Sequence, residues 1–305
     1  MASRLERLFD LYSRDLERYA PSLKECFGCP ICLRGFRKVR RLGDVVGEEH
    51  IVPEALGGRL ITLTCRQCNS DHGAKLDAHL VQRVLVEANR IPVRVRMKMG
   101  SASMGAEMDG APDPAGPISI RGVKKQSDEK QVEQIKELLR DGKTEIKLHM
   151  SLGYNENRSL VALVRSAYLL MFRTFGYRYV FDASAATVRE QLKNPMEKTA
   201  KLDGIMWRIE ETIPEEADLC IMHTPEWLRS FFIVLRLDEQ RHVAGVTLPP
   251  PGTDGSDLYP RLRAPDTQGK KLLHPLPIPT NGFLPFLQAW RFAIRESGGD
   301  APLRE

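Results

Sequence analysis

The sequence predicts an α+β chain: a small cysteine-framed module near the N-terminus, followed by a second α+β region. Three observations carry that reading. Apolar residues recur at helical spacing, first at Leu5, Leu8, Phe9, Tyr12, Leu16 and Tyr19. Shorter runs alternate apolar and polar residues as strands do, "IPVRVRMKM" at 91–99 most clearly. Five of the six cysteines fall between Cys26 and Cys68.

Taken in order, residues 1–20 form a leading amphipathic helix. Ser3 and Glu6 are spaced as a capping box, which satisfies the first free backbone N–H groups. Residues 24–80 hold the cysteine module. After Gly73 the chain continues as a helix over 74–90 and a strand over 91–99. Gly100 to Pro117 is rich in Gly, Ala, Pro and Asp and reads as a loop. A short strand ("ISIRG"), a polar helix from Asp128 to Arg140 and a strand ("TEIKLHM") make a small α/β segment. The later region opens with a helix that has a wide apolar face and ends at Gly176. Another helix follows over 184–194, with Ser184 as its cap and Pro195 beyond its end. "DLCIMHT", "SFFIVLRLD" and "RHVAGVTLP" read as strands, the last two joined at Asp238-Glu239-Gln240. A Pro/Gly-rich loop from Pro249 to Pro279 leads to a final helix near Phe283 to Arg295. The domains expected are 1–99, 100–150 and 151–305.

Composition narrows the classes. No apolar run approaches the ~20 residues that span a bilayer. Charges interrupt the N-terminal segment throughout, so it does not read as a signal peptide, and a cytoplasmic, reducing setting is expected. The net charge of +5 is uneven: residues 1–100 hold 18 Lys/Arg against 12 Asp/Glu. The densest basic run is "RGFRKVRR", Arg34 to Arg41. A basic patch of this kind favours a polyanionic partner through long-range attraction and counterion release.

The cysteines form two knuckles, Cys29-x-x-Cys32 and Cys65-x-x-Cys68, separated by 32 residues. Two such turns present four thiolates to one tetrahedral zinc ion and clamp distant segments together. Cys26 offers an alternative pairing with Cys29, which the sequence leaves open. A four-thiolate zinc site is closed and structural. The acid-His pair Glu49-His50, Asn69 and His72 therefore need another explanation.

Those residues carry a resemblance. "EHIVPEALGG" followed by "LTCRQCNSDHG" resembles the HNH endonucleases, the ββα-metal fold in its zinc-knuckle variant, over about residues 26–77. The fold class implied is α+β, a zinc-organised ββα-metal nuclease module plus a second α+β region. The resemblance implies a metal-dependent endonuclease that hydrolyses phosphodiester bonds of DNA. It implies His50 as the base that activates water, Glu49 and Asn69 as holders of a catalytic Mg²⁺ or Mn²⁺ beside the structural Zn²⁺, and His72 as a further ligand of that ion or a phosphate contact. Many members carry an Asn before the second knuckle. Here that segment reads "RLITLTC", with Thr62, Thr64 or a backbone carbonyl to orient His50 instead.

DNA phosphates are expected at Arg34, Arg37, Lys38, Arg40, Arg41, Arg59, Arg66 and Lys75. Residues 151–305 are expected to regulate, to form a homo-oligomer or to sense a partner or ligand. A restriction or phage-defence role accompanies the resemblance. The alternative is a non-catalytic zinc-dependent nucleic-acid-binding module.

Overall fold

The computed structural model describes residues 2–39, 41–99, 101–108, 120–122, 129–141, 146–197, 204–207, 218–239, 242–262 and 272–296. In chain order the elements begin with α1 (Arg4–Tyr19), β1 (Cys26–Gly28), β2 (Gly35–Arg37), β3 (Val46–His50), β4 (Ile61–Cys65), α2 (Arg66–His72) and α3 (Ala78–Glu87). Next come β5 (Val93–Met99), β6 (Ala102–Met108), β7 (Ile120–Gly122), α4 (Glu129–Asp141), β8 (Ile146–Ser151), α5 (Glu156–Phe175), α6 (Tyr177–Val180) and α7 (Ala183–Lys193). The last are β9 (Ile205–Trp207), β10 (Leu219–Thr224), β11 (Ser230–Leu237), β12 (His242–Leu248), α8 (Leu258–Leu262), β13 (Leu272–Pro275) and α9 (Phe286–Glu296). A single turn of π-helix, Gly73–Asp77, joins α2 to α3.

The chain forms two compact units, 1–77 with 160–305, and 78–159. The boundaries expected at 99/100 and 150/151 do not fall there. The first cuts the β5–β6 hairpin, whose register runs from Val93↔Met108 to Met99↔Ala102. The expected loop over 100–117 is thereby corrected in its first part: 102–108 is a strand, and residues 109–117 lie outside the described set. Its Ala, Ser, Gly and Met side chains carry little intrinsic strand preference. Pairing with β5 and burial of Met104 and Met108 decide the outcome.

In the 1–77/160–305 unit, α1 starts as its capping box requires: Ser3 Oγ accepts from Glu6 N, and Glu6 accepts from Ser3 N at 2.7 Å. Its buried face (Phe9, Tyr12, Leu16) packs on β1 and α5, with the Phe9 and Phe27 rings 6.1 Å apart and Tyr12 stacked on Phe172 at 4.5 Å. From Val161 to Phe175, α5 is buried on every side. An all-round buried helix is central to its core. An antiparallel sheet, β13-β10-β11-β12-β9, completes this unit. Strand β13 lies within the expected Pro249–Pro279 loop, where proline hides it from the pattern. Among the described residues it pairs with β10 alone and so tolerates Pro275 at its end. The cap of α7 is Asp182, whose Oδ1 accepts from Ser184 N; Ser184, expected as the cap, lies inside the helix.

Three contacts explain why residues beyond 160 belong with the cysteine module. The Tyr177 hydroxyl donates to Gly28 O and accepts from Gly28 N. The Tyr168 hydroxyl donates to Pro30 O. At the β11–β12 turn, where Asp238 and Glu239 both have φ of 54°, Asp238 N donates to Leu56 O at 2.9 Å. Each satisfies backbone polar groups that burial would otherwise strand.

Candidate metal centre and active site

The knuckles are built locally. Leu33 N donates to Cys29 O and Cys29 N to Arg34 O, closing a turn with Leu33 at φ 61°. The second knuckle opens α2: Cys65 is its N-cap, and Cys65 Sγ accepts from Cys68 N at 3.4 Å. Cys29 Sγ accepts from Cys65 N at 3.4 Å, which ties the knuckles together.

The sulfurs of Cys29, Cys32, Cys65 and Cys68 lie within 4.8 Å of one another, and Cys32 and Cys65 are 3.7 Å apart. A tetrahedral zinc with bonds of about 2.3 Å has sulfur–sulfur edges of roughly 3.8 Å, so the four thiols fit that ion. Cys26 stands on β1 opposite Arg37, outside the cluster. That settles the register in favour of Cys29/Cys32. Hydrogen bonding from Cys29, with Arg34 beside it, draws the Cys32 thiol down to about 4. Arg34 Nε reaches Cys32 Sγ at 3.4 Å, so this cation faces the thiolates it would neutralise.

The second group of candidates lies on β3, β4 and α2. β3 and β4 form an antiparallel pair from Val46↔Cys65 to His50↔Ile61, and α2 follows directly, giving the expected ββα order. The connection between them turns at Gly57, with φ 83°. At Gly58 an added Cβ would sit 1.8 Å from Val52 O, so the loop closes only around a glycine.

Because strand side chains alternate, Gly47 and Glu49 share one face of the hairpin with Thr62 and Thr64, whereas Glu48 and His50 share the other. Asn69 Nδ2 donates to Glu48 O at 3.1 Å and lies 3.6 Å from the position of a Cβ on Gly47. Asn69 therefore stands on the Glu49 face. His50, half-buried, leaves from the opposite face.

The Glu49 carboxylate already has a cation. Arg165 of α5, fully buried, donates from Nη2 to Glu49 Oε1 and from Nη1 to both oxygens of Asp77 at 3.0 and 3.1 Å. Thr64 Oγ1 donates to the other Glu49 oxygen at 3.4 Å. Thr64 thus serves Glu49 rather than His50, and Thr62 Oγ1 meets the Tyr12 hydroxyl at 2.7 Å. Burial pushes the Asp77 carboxyl up to about 6, although Arg165 pulls it the other way. Burial and the nearby Arg165 charge lower His72 to about 4, and its Nδ1 is buried with no hydrogen-bond partner among the described residues. His72 is therefore neutral at pH 7.

Glu49 is held by Arg165. Among the described residues, the four cysteines are the only convergence of three or more His, Cys, Asp or Glu ligand atoms. Sequence reasoning missed Arg165, Asp77, Tyr168 and Tyr177. Arg165, in the middle of the long apolar stretch of α5, was the available signal, since such a charge needs a buried partner.

The basic candidates divide. Arg37, Arg41 and Arg59 are exposed. Lys38 pairs with Asp10 at 2.8 Å and Lys75 with Asp71 at 3.5 Å. Arg66 Nε donates to Gly43 O. Arg40 lies outside the described residues.

Residues 29–85 match the family model of the HNH endonuclease. The match spans both knuckles, β3, β4 and α2 and implies nuclease activity on nucleic acids; HNH nucleases work with divalent metal ions. No curated protein and no solved structure matches the chain. No helix among the described residues is long and apolar enough to cross a membrane.

Proposed function

We propose that this chain is a metal-dependent endonuclease that hydrolyses phosphodiester bonds of DNA. One observation carries the reading. The four converging thiols fix the start of α2, and Asn69 on its first turn is hydrogen-bonded to the strand bearing Glu49 and His50, inside the segment that matches HNH endonucleases.

The roles follow from the chain's own groups. His50, half-buried, takes the proton from the attacking water. The Asn69 side chain steadies β3 by donating to Glu48 O. Exposed Arg37, Arg41 and Arg59 hold backbone phosphates. The divalent ion, Mg²⁺ or Mn²⁺, belongs to the proposal, but Glu49 reaches it only once Arg165 gives up the carboxylate.

Control by residues 151–305 has a natural place in a cleft of about 490 Å³, lined by Ile51, Val52 and Arg59 of the hairpin connection and by Val234, Arg236 and Glu239. Restriction of incoming phage DNA is the biological role we propose for such a controlled activity.

The test is cleavage of supercoiled plasmid in Mg²⁺ or Mn²⁺, with a His50→Ala chain alongside. Cleavage by the parent and its collapse in the variant, with zinc content and DNA binding retained, is the expected result. The closed Glu49–Arg165 pair favours a second reading, a zinc-dependent nucleic-acid-binding module without catalysis. A parent chain that never nicks plasmid, single-stranded DNA or RNA in several divalent metals establishes that reading instead.

A further inference from the structure

The antiparallel sheet of the 78–159 unit, β7-β6-β5-β8, has two chemically different faces. Along β5 the side chains alternate strictly: Val93, Val95, Met97 and Met99 are buried, and Arg94, Arg96 and Lys98 are exposed. The apolar side packs on α4 through Met97, Met99, Met104 and Ile135. The register carries the basic character across the other side. Lys147 of β8 stands opposite Lys98, His149 opposite Arg96, and Arg121 of β7 opposite Glu107 of β6. The side chains of Arg94, Arg96, Lys98, Arg121, Lys147 and His149 are exposed, and among the described residues of this face the carboxylate is half-buried Glu107, which stands opposite both Arg94 and Arg121.

Stability of the fold does not account for this face. Lysines often protect a sheet edge, but β5 is an interior strand, flanked by β6 and β8. Like charges set directly opposite each other, as Lys98 and Lys147 are, weaken a sheet. Helix α4 shows the ordinary pattern instead, with Glu129, Lys130, Glu133, Lys136, Glu137 and Arg140 balancing one another. Alternate residues on β5 stand about 7 Å apart, so the three cations make a straight, regularly spaced line.

We infer that this sheet face is a second phosphate-binding surface, occupied by the backbone of a DNA duplex. The choice of DNA as the polyanion rests on the nuclease reading above. Among the described residues, the exposed face carries no aromatic side chain on which single-stranded bases could stack and no apolar side chain to enter a lipid layer. Charge without stacking suits the outside of a duplex.

The test uses the full zinc-loaded chain with His50→Ala, which prevents cleavage, and a fluorescein-labelled duplex followed by anisotropy over a range of salt. Replacing Arg94, Arg96 and Lys98 by Gln should weaken binding about tenfold or more at about 0.1 M salt. It should also flatten the log–log salt slope by about 2.7, about 0.9 for each lost phosphate contact. Replacing Lys130, Lys136 and Arg140 of α4 by Gln removes the same charge and should leave the slope unchanged. If the β5 triple variant fails to fold by circular dichroism, Arg96→Gln alone should flatten the slope by about 0.9. An unchanged slope for the β5 variants, an equal effect from the α4 variants, or binding to phosphatidylserine vesicles in place of DNA overturns the inference. Failure of the nuclease reading looks different: the parent cuts nothing, yet the β5 and α4 variants still separate.

Discussion

Replacing Arg165 by methionine removes the charge from the centre of the Glu49–Arg165–Asp77 cluster while keeping most of the side chain's volume. Arg165 is 0% exposed and Glu49 6%, so water cannot take over the lost partner. Breaking a buried pair from one side costs about 3–5 kcal/mol, because the remaining charge stays desolvated. Here two carboxylates depend on one guanidinium, which places the expected loss in the upper half of that range. That is a large fraction of a total stability of about 5–15 kcal/mol. The assay is urea unfolding of the zinc-loaded chain, followed by emission of Trp290, which is buried in α9. Glu49→Gln alone should be milder, since Arg165 keeps Asp77. The double variant should recover about 1–3 kcal/mol relative to the sum of the two single losses. The loss in Arg165→Met should also shrink as pH falls toward about 6: without Arg165, which holds it down to about 6, the Asp77 carboxyl rises further, takes a proton at a higher pH than in the parent and needs no counter-charge. Additivity within about 0.5 kcal/mol, or a loss from Arg165→Met below about 1 kcal/mol, would refute the idea that this pair closes the site.

Further expectations follow from the same contacts. Cys65→Ser should lose zinc by elemental analysis and express poorly, because structural zinc supplies on the order of 10 kcal/mol to such a module; full zinc with normal melting contradicts the ligand set. His50→Ala should lower the plasmid cleavage rate about 100- to 10,000-fold with zinc content and melting temperature unchanged, and equal rates remove His50 as the base. Tyr177→Phe should cost about 1–3 kcal/mol in thermal unfolding, since both Gly28 N and Gly28 O lose their partner; a neutral result places the hydroxyl contact outside the stability of the knuckle. His72, lowered to about 4, binds fewer protons folded than unfolded between about pH 4 and 6.5, so it makes stability rise with pH in that window. Asp77, raised to about 6, makes stability fall with pH between about 4 and 6, and His72→Gln should therefore leave a net fall that urea titrations at several pH values would record.

What the sequence disclosed and what it hid divide by the range of the physics. The capping box at Ser3 and Glu6 acts over one turn, and both halves of it form. The C-x-x-C spacing is likewise local: each knuckle fixes two sulfurs by its own turn, so convergence of the four thiols required only that the β3–β4 hairpin return the chain, which the glycine pair permits. Alternation along β5 was visible because one period sets which side chains are buried. Strand β6 was not visible, since its residues become a strand through β5 rather than through their own preference. Ser184 lost the cap of α7 to Asp182, two residues earlier, as two side chains competed for the same backbone groups.

The site was legible only in half. Glu49 and Arg165 are 116 positions apart, and nothing in either neighbourhood states that they meet. The arginine was nevertheless anomalous where it stood. A charge inside a run as apolar as 160–175 cannot be left unpaired, so the sequence posed the need for a buried acid without naming it. Glu49 and Asp77 both lie in the segment with HNH resemblance, and both supply that acid. The consequence reaches function. A helix from the later region supplies the cation that β3 holds, so the acid of the acid-His pair is governed from outside the residues that carry the family pattern. Removal of that helix would leave Glu49 and Asp77 facing each other without a counter-charge. On this reasoning a fragment ending before Leu160 should not fold as a working nuclease, although it contains every knuckle cysteine, His50 and Asn69. Zinc-loaded, folded and active material from such a fragment would show that Arg165 is dispensable to the site.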